Sequence, residues 1–327
     1  MLKALMQSVI AGGLSLGMLS QAWATTQWDM PTPYGERTFH TVNIRQFAAD
    51  VAELTEGELQ INVHSGGSLI AHPEIKNAVR RNLVPMGELI MSRLANENAI
   101  YNVDSVPYLA TSYEDAQALW EASEPAIRAE LARQGLQILF VVPWPPQGIY
   151  SRSEITRIED LRNLRMRAYN TSSERFTRLV NAVPTQVEVP DIPTAFGTGR
   201  VAAMMTSPAT GVDTQAWDYL SHYNHTQLWL PKNMVIVSDR ALRRLSEETR
   251  AALFAAAEQA QERGWQMSRE ETERALVGLR ENGIHVSDPT PELDAALREV
   301  GATMTAEWQR DAGAAGEEIL RRYRAAD

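Results

Sequence analysis

The residues with the clearest chemical potential lie in two short segments, one carrying arginines and one rich in proline and aromatics. Residues 165–169 read Arg165-Met166-Arg167-Ala168-Tyr169. As a strand, this run puts Arg165, Arg167 and Tyr169 on one face, opposite Met166 and Ala168. An arginine on such a strand is ordinarily paired, and its guanidinium fork fits a carboxylate with two parallel hydrogen bonds. Upstream, residues 143–150 read Pro143-Trp144-Pro145-Pro146-Gln147-Gly148-Ile149-Tyr150. Three prolines and a glycine make this a rigid, non-helical segment. It leaves the apolar run 138–142 at the C-terminal end of a strand, which is where open α/β sheets bind ligands. Trp144 and Tyr150 offer flat apolar surfaces with polar tips, and Gln147 offers both a donor and an acceptor. The same segment also reads as a hinge turn around a packed tryptophan, and the two readings are compatible.

Other chemical motifs fail their tests. Gly197-Thr198-Gly199-Arg200-Val201-Ala202 matches the dinucleotide fingerprint in letters. That motif needs a strand before it and a helix after it; here a helical stretch precedes it and an apolar run follows, so the glycines end a helix that enters a strand. His222 and His225 lack a glutamate in zinc-protease spacing and a third ligand. No phosphate-binding loop with lysine and no nucleophile elbow occurs. Glu247-Glu248 and Glu270-Glu271 lie on helical patterns as solvated faces. These readings imply no metal, no cofactor and no catalysis.

Several elements must position the two segments. Residues 40–55 form a helix with Phe47, Val51 and Leu54 on one face, ended by Gly57. Leu59, Ile61 and Val63 alternate as a strand. A helix over 112–134 leads into the strand 138–142. The strand 165–169 is followed by a helix from Ser172 and a strand around Val187. Alternation of this kind predicts parallel sheets with crossover connections. Ser246 caps a long helix that Asn282-Gly283 closes, with Gly264 as the one place where it would divide into two. About 35 unbroken residues would span roughly 50 Å, longer than one ordinary domain is wide. The expected fold is α/β and two-lobed, with this helix spanning both lobes.

Composition sets the compartment. Met1 and Lys3 precede an uncharged apolar run, 8–19, and then Ala22-Trp23-Ala24. These are the three regions of a secretory signal peptide, cleaved after Ala24. The run is too short to cross a membrane. The chain has no cysteine, so it is neither lipidated at a thiol nor stapled by disulfides. A net charge of −10 argues against nucleic acid. A chain free in the periplasm fits these features. Its 327 residues suffice for two domains.

The sequence resembles the solute-binding subunits of TRAP transporters, the tripartite ATP-independent periplasmic systems for organic acids. The most specific match is the Asp-Leu-x-x-Leu-x-x-Arg run from Asp160 to Arg167, followed by Ala182-Val183-Pro184-Thr185, a short helix over 191–199 and a strand over 201–206. Thr55-Glu56-Gly57-Glu58-Leu59 and Val106-Pro107-Tyr108-Leu109 also fit. The resemblance implies two lobes, taken as 25–147 with 235–273 and 148–234 with 274–327, closing around a ligand. It implies that Arg167 clamps a carboxylate and that Thr206 and Ser207 stand where the family commonly has a ligand-touching asparagine. A second arginine is replaced near Gln147, which disfavours dicarboxylates. Trp144, Tyr150, Tyr169 and Trp229 then point to a small monocarboxylate, aromatic or hydroxylated, and Asn233 completes the set of ligand contacts. The implied partners are a small and a large membrane subunit, with the receptor itself a monomer.

Glu88 pulls the other way. It lies in the apolar strand-like run Gly87-Glu88-Leu89-Ile90. Facing the cleft beside tryptophans, it would accept an ammonium group and make the ligand an amine or zwitterion. Set against a surface role, it could also neutralise Arg167. A periplasmic sensor subunit of the same fold is the alternative to transport, and an exported hydrolase is weakened by the missing nucleophile–base pair.

Overall fold

The structure is a computed structural model and describes residues 25–326. The expected signal segment 1–24 lies outside them. The chain opens with strand β1 (Thr26–Pro31), helix α1 (Phe39–Leu54) and strand β2 (Leu59–His64), and β1 and β2 pair in parallel. Helix α1 buries Ile44, Phe47 and Val51, the spacing of one helical face. Glu56 and Gly57 follow with positive φ and turn the chain into β2. Next come α2 (Ile75–Arg80), β3 (Met86–Ile90), α3 (Tyr113–Ala132) and β4 (Leu136–Pro143). Ser112 and Asp115 exchange hydrogen bonds with each other's backbone amides at the start of α3, a reciprocal cap.

The second half of the chain carries β5 (Gly148–Ser151), β6 (Arg165–Ala168), α4 (Thr171–Leu179), β7 (Val183–Gln186), α5 (Ile192–Gly197), β8 (Ala203–Thr206), α6 (Pro208–Asp213) and β9 (His222–Asn224). It then returns through β10 (Lys232–Ser238), α7 (Asp239–Leu242), α8 (Glu247–Glu281), β11 (His285–Ser287) and α9 (Pro291–Ala326). The strand expected around Val187 ends one residue earlier, at Gln186. The glycines at 197 and 199 do end helix α5 ahead of β8, with Gly199 at positive φ.

Two sheets form the lobes. One has the order β3-β10-β4, the other β11-β9-β5-β8-β6-β7. The expectation of parallel sheets is corrected here. β10 runs antiparallel to β3 and β4, and β5 runs antiparallel to β8 and β9, while β6 is parallel to β7 and β8. The reason lies in the connections. β4 leaves the first sheet for the second, and β10 re-enters the first sheet from the second after β5 to β9, so it pairs with β4 in the opposite direction.

The two crossing segments are bonded to one another. Trp144 N donates to Pro231 O (2.8 Å), Gln147 N to Trp229 O (2.9 Å), and Leu228 N to Gln147 O (2.9 Å). The proline-rich segment is therefore one side of a short ribbon joining the lobes. Helix α8 makes a third connection and is continuous over 35 residues, with no break at Gly264. Its first half lies on α1 and β4, where Asn43 Nδ2 donates to Ala260 O and Trp265 Nε1 to Val141 O. Its second half places Leu276 and Leu279 in a core with Tyr223 and Ile284. Helix α9 is kinked at Gly313, and reaches back to the first half through Trp308 Nε1 on Ala99 O and Tyr323 OH on Leu109 O. None of the described helices is long and apolar enough to cross a membrane.

Candidate ligand-binding site

Arg167 sits on β6 and is buried at 2% exposure. Its Nε donates to the Val187 carbonyl (2.9 Å), and its Cζ lies 5.0 Å from the centre of the Tyr169 ring. Among the described residues no carboxylate comes within ion-pair distance of it, Glu88 included. Burial lowers the guanidinium from its ordinary value. A buried charge is costly unless paired, and beyond the Val187 carbonyl this guanidinium has no hydrogen-bond partner among the described residues. Arg165, on the same strand face, is exposed.

Arg167 opens onto a small cavity of about 40 Å³ between the lobes. Of the residues expected at the site, Trp144, Gln147, Arg167, Tyr169 and Thr206 line it. Gln147 Oε1 accepts from Tyr169 OH (3.3 Å), and its Nε2 donates to Pro145 O (3.0 Å). That leaves one Nε2 proton free. Among the described residues the Thr206 hydroxyl has no hydrogen-bond partner. These polar groups are carried on the ends of β6 and β8 and on the hinge ribbon, which are rigid supports.

Five expected contacts stand behind the wall instead of in it. Ser207 Oγ accepts from Thr210 N (3.1 Å) and caps α6. Tyr150 OH donates to Ser207 O (3.2 Å) and presses against Gly211, where an added Cβ would sit 2.0 Å from that oxygen. Trp229 Nε1 donates to Tyr169 OH (3.2 Å). Asn233 Oδ1 accepts from Trp144 Nε1 (2.9 Å) and Tyr34 OH (3.1 Å). Glu88 is buried at 2% exposure and takes hydrogen bonds from Thr32 Oγ1 (2.5 Å) and Asn233 Nδ2 (2.9 Å). Glu88 therefore faces Thr32 and Asn233 and is not among the residues that line the cavity. Its acceptor capacity is engaged inside the first lobe, and burial pushes its carboxyl up to about 7.

The sequence reading missed Tyr34, His72, Glu188 and Thr210, which also line the cavity. Tyr34 follows Pro31-Thr32-Pro33, a rigid aromatic run like 143–150 that offered a usable signal. Glu188 follows β7, and its carboxylate bridges Arg93 and His72 of the first lobe. Ile90 N donates to His72 Nε2 (3.3 Å), so the His72 proton is on Nδ1 and points at Glu188 Oε2 (3.3 Å). Burial opposes the Glu188 charge, but the His72 hydrogen bond and the Arg93 cation outweigh it and hold the carboxyl low, at about 2. This ion-paired acid spans the cleft.

Two lobes joined by a ribbon and a shared helix, with an unpaired cation buried between them, define a solute-binding receptor. Residues 34–311 match the family of bacterial extracellular solute-binding proteins, family 7, and the chain belongs to that family. Its solved relatives are TRAP receptors. DctP6 of Bordetella pertussis, which binds pyroglutamic acid, is 38% identical with a TM-score of 0.91, over 92% of this chain and 100% of that one. DctP7 of the same organism, which also binds pyroglutamic acid, is 41% identical with a TM-score of 0.91 and the same coverage. A marine metagenome TRAP protein specific for pyroglutamate is 37% identical with a TM-score of 0.90, over 92% and 99% of the two chains. A solute-binding protein of Albidiferax ferrireducens is 24% identical over 175 residues, so the match spans about half of that curated relative's length (51%).

Proposed function

We propose that this protein is the periplasmic receptor of a TRAP transporter and captures a small cyclic monocarboxylate of the pyroglutamate class. The observation that carries the reading is the free edge of the buried Arg167 guanidinium at the cavity. A carboxylate bound there would complete the ion pair. The lactam of pyroglutamate has one acceptor and one donor, which suit the free Gln147 amide proton and the Thr206 hydroxyl. The small cavity favours a compact ring over a sugar acid. Receptors 37–41% identical to this chain bind the same compound, which supports the assignment. Arg167, Tyr169, Thr206, Trp144 and Gln147 are the proposed ligand contacts. Ser207, Tyr150, Trp229, Asn233 and Glu88 act on them from behind.

The lobes divide in this proposal at the boundaries read from the sequence, 25–147 with 235–273 and 148–234 with 274–327. They close about the ribbon formed by 144–147 and 228–231. The receptor is exported through the leader 1–24, acts as a monomer, leaves its ligand chemically unchanged and delivers it to one small and one large membrane subunit. Isothermal titration with pyroglutamate, proline and 2-pyrrolidinone tests the ligand class. Pyroglutamate is expected to bind, and 2-pyrrolidinone, which lacks the carboxylate, is not. Arg167→Ala should cost about 2–5 kcal/mol, thirtyfold or more in Kd. Parent-like affinity in that variant would remove the clamp from the account.

A further inference from the structure

We infer that Glu88 is a positioning residue for the ligand cavity: through Asn233 it fixes the Trp144 indole and the Tyr34 phenol that form two of the cavity's walls. The inference rests on the reading of that cavity as the ligand site. Its basis is the two-ended chemistry of one buried amide. Trp144 Nε1 is a donor only, and Tyr34 OH donates as well, so both need an acceptor at Asn233. Asn233 meets them with Oδ1. Its Nδ2 then points the opposite way, into a region where Asn233 is 1% exposed and water does not reach. An amide donor left there without a partner would be costly.

Glu88 Oε1 supplies that partner at 2.9 Å. With the carboxyl in place, a flipped Asn233 would set N–H against the Trp144 N–H, donor to donor, and turn its oxygen towards another acceptor. The carboxyl therefore selects one orientation of the amide. Its second oxygen accepts from Thr32 Oγ1, and Tyr34 N in turn donates to that same hydroxyl (3.4 Å). One buried side chain thus anchors Tyr34 from two directions and Trp144 from one. Tyr34 and Trp144 meet edge to face at 5.0 Å, and the His40 ring lies tilted against Trp144 at 4.3 Å. His40 Nδ1 lies 3.5 Å from Glu88 Oε1 without a hydrogen bond, and burial holds the imidazole well below its ordinary value. It is a neutral neighbour, and neither of its ring nitrogens is hydrogen-bonded to Asn233.

The test has one arm that needs no ligand. In the ligand-free protein, the Trp144 indole N–H resonance is identified by its loss in Trp144→Phe. Glu88→Leu is expected to shift that resonance and speed its hydrogen exchange, whereas Glu88→Gln, which keeps an acceptor for Asn233, leaves both near the parent values. An unchanged resonance in Glu88→Leu overturns the proposal. If Glu88→Leu does not fold, Glu88→Asp withdraws the carboxyl by one methylene and is read in the same way. The second arm is pyroglutamate affinity. Glu88→Leu should weaken it about tenfold, and little further in combination with Trp144→Phe, because the two changes break one chain of contacts. Fully additive losses overturn the proposal. Failure of the parent to bind pyroglutamate would reject the proposed ligand, while the resonance of Trp144 would still decide the role of Glu88.

Discussion

Arg167 and Glu88 are both withdrawn from water, and their surroundings assign them different tasks. Arg167 has one nitrogen on a carbonyl and the remainder of its fork on the cavity. Glu88 has both oxygens engaged by protein donors. Burial dominates its titration and raises its folded value to about 7 from 4.5. Such a group contributes stability that is complete below the unfolded value and is lost as pH rises through the folded one. The parent should therefore lose up to about 3 kcal/mol from this source between pH 4.5 and 7 and above. Glu88→Gln cannot lose it. Urea unfolding of both proteins at pH 5 and pH 8 is expected to show the variant gaining on the parent at the higher pH. Asp104, raised to about 6 by burial, titrates in both proteins and cancels from the comparison. A stability difference that does not change with pH would refute the assignment.

Helix α8 is where local sequence and tertiary contact meet most closely. Its cap at Ser246 and its unbroken pattern are local properties, and the helix forms as read. Gly264 looked like a breaking point from propensity alone. Its role is in packing: a Cβ there would lie 2.4 Å from Val142 Cγ2 on β4 and 2.7 Å from Asn43 Nδ2 on α1. The helix can lie this close to the sheet only without that carbon. Gly264→Ala should destabilise by about 1–3 kcal/mol through overpacking, although alanine is the better helix former by about 1 kcal/mol. The urea midpoint measures the balance, and a stabilised variant would show that α8 has room to move off β4.

Across the whole molecule, the cleft is bridged by more than the hinge. Glu188 follows β7 of the six-stranded sheet, while Arg93 and His72 flank β3 of the three-stranded one. Their contacts exist only when the lobes are together. Tyr34, His72, Glu188 and Val189 line both the cavity beside Arg167 and a neighbouring one that Gly66, Gly67 and Pro190 also border, so this bridge stands between the two. Glu188→Gln keeps the size and removes the charge. It is expected to shift the ligand-free protein towards open lobes by about 1–2 kcal/mol. Small-angle scattering should then give a larger radius of gyration than the parent without ligand, and the parent value once pyroglutamate is added. Equal radii without ligand would show that the bridge does not bias closure.

The sequence by itself determined what depends on neighbours along the chain. Capped helices, alternating strands, the rigid 143–150 segment and the arginine strand were all readable, because propensity, capping and periodicity act over a few residues. The order of its motifs also carried the family resemblance. What only the tertiary structure decided is which buried groups are left unsatisfied. Arg167 and Glu88 both read as charged residues on strands, and nothing within several residues of either separates a free guanidinium from an engaged carboxyl. That difference depends on Thr32, Val187 and Asn233, at distances of 20 to 145 residues along the chain. The antiparallel β10, the Glu188 bridge and the withdrawal of Ser207, Tyr150 and Trp229 behind the wall arise in the same way. Each follows from long-range pairing, whose satisfaction of buried hydrogen bonds has no local signature.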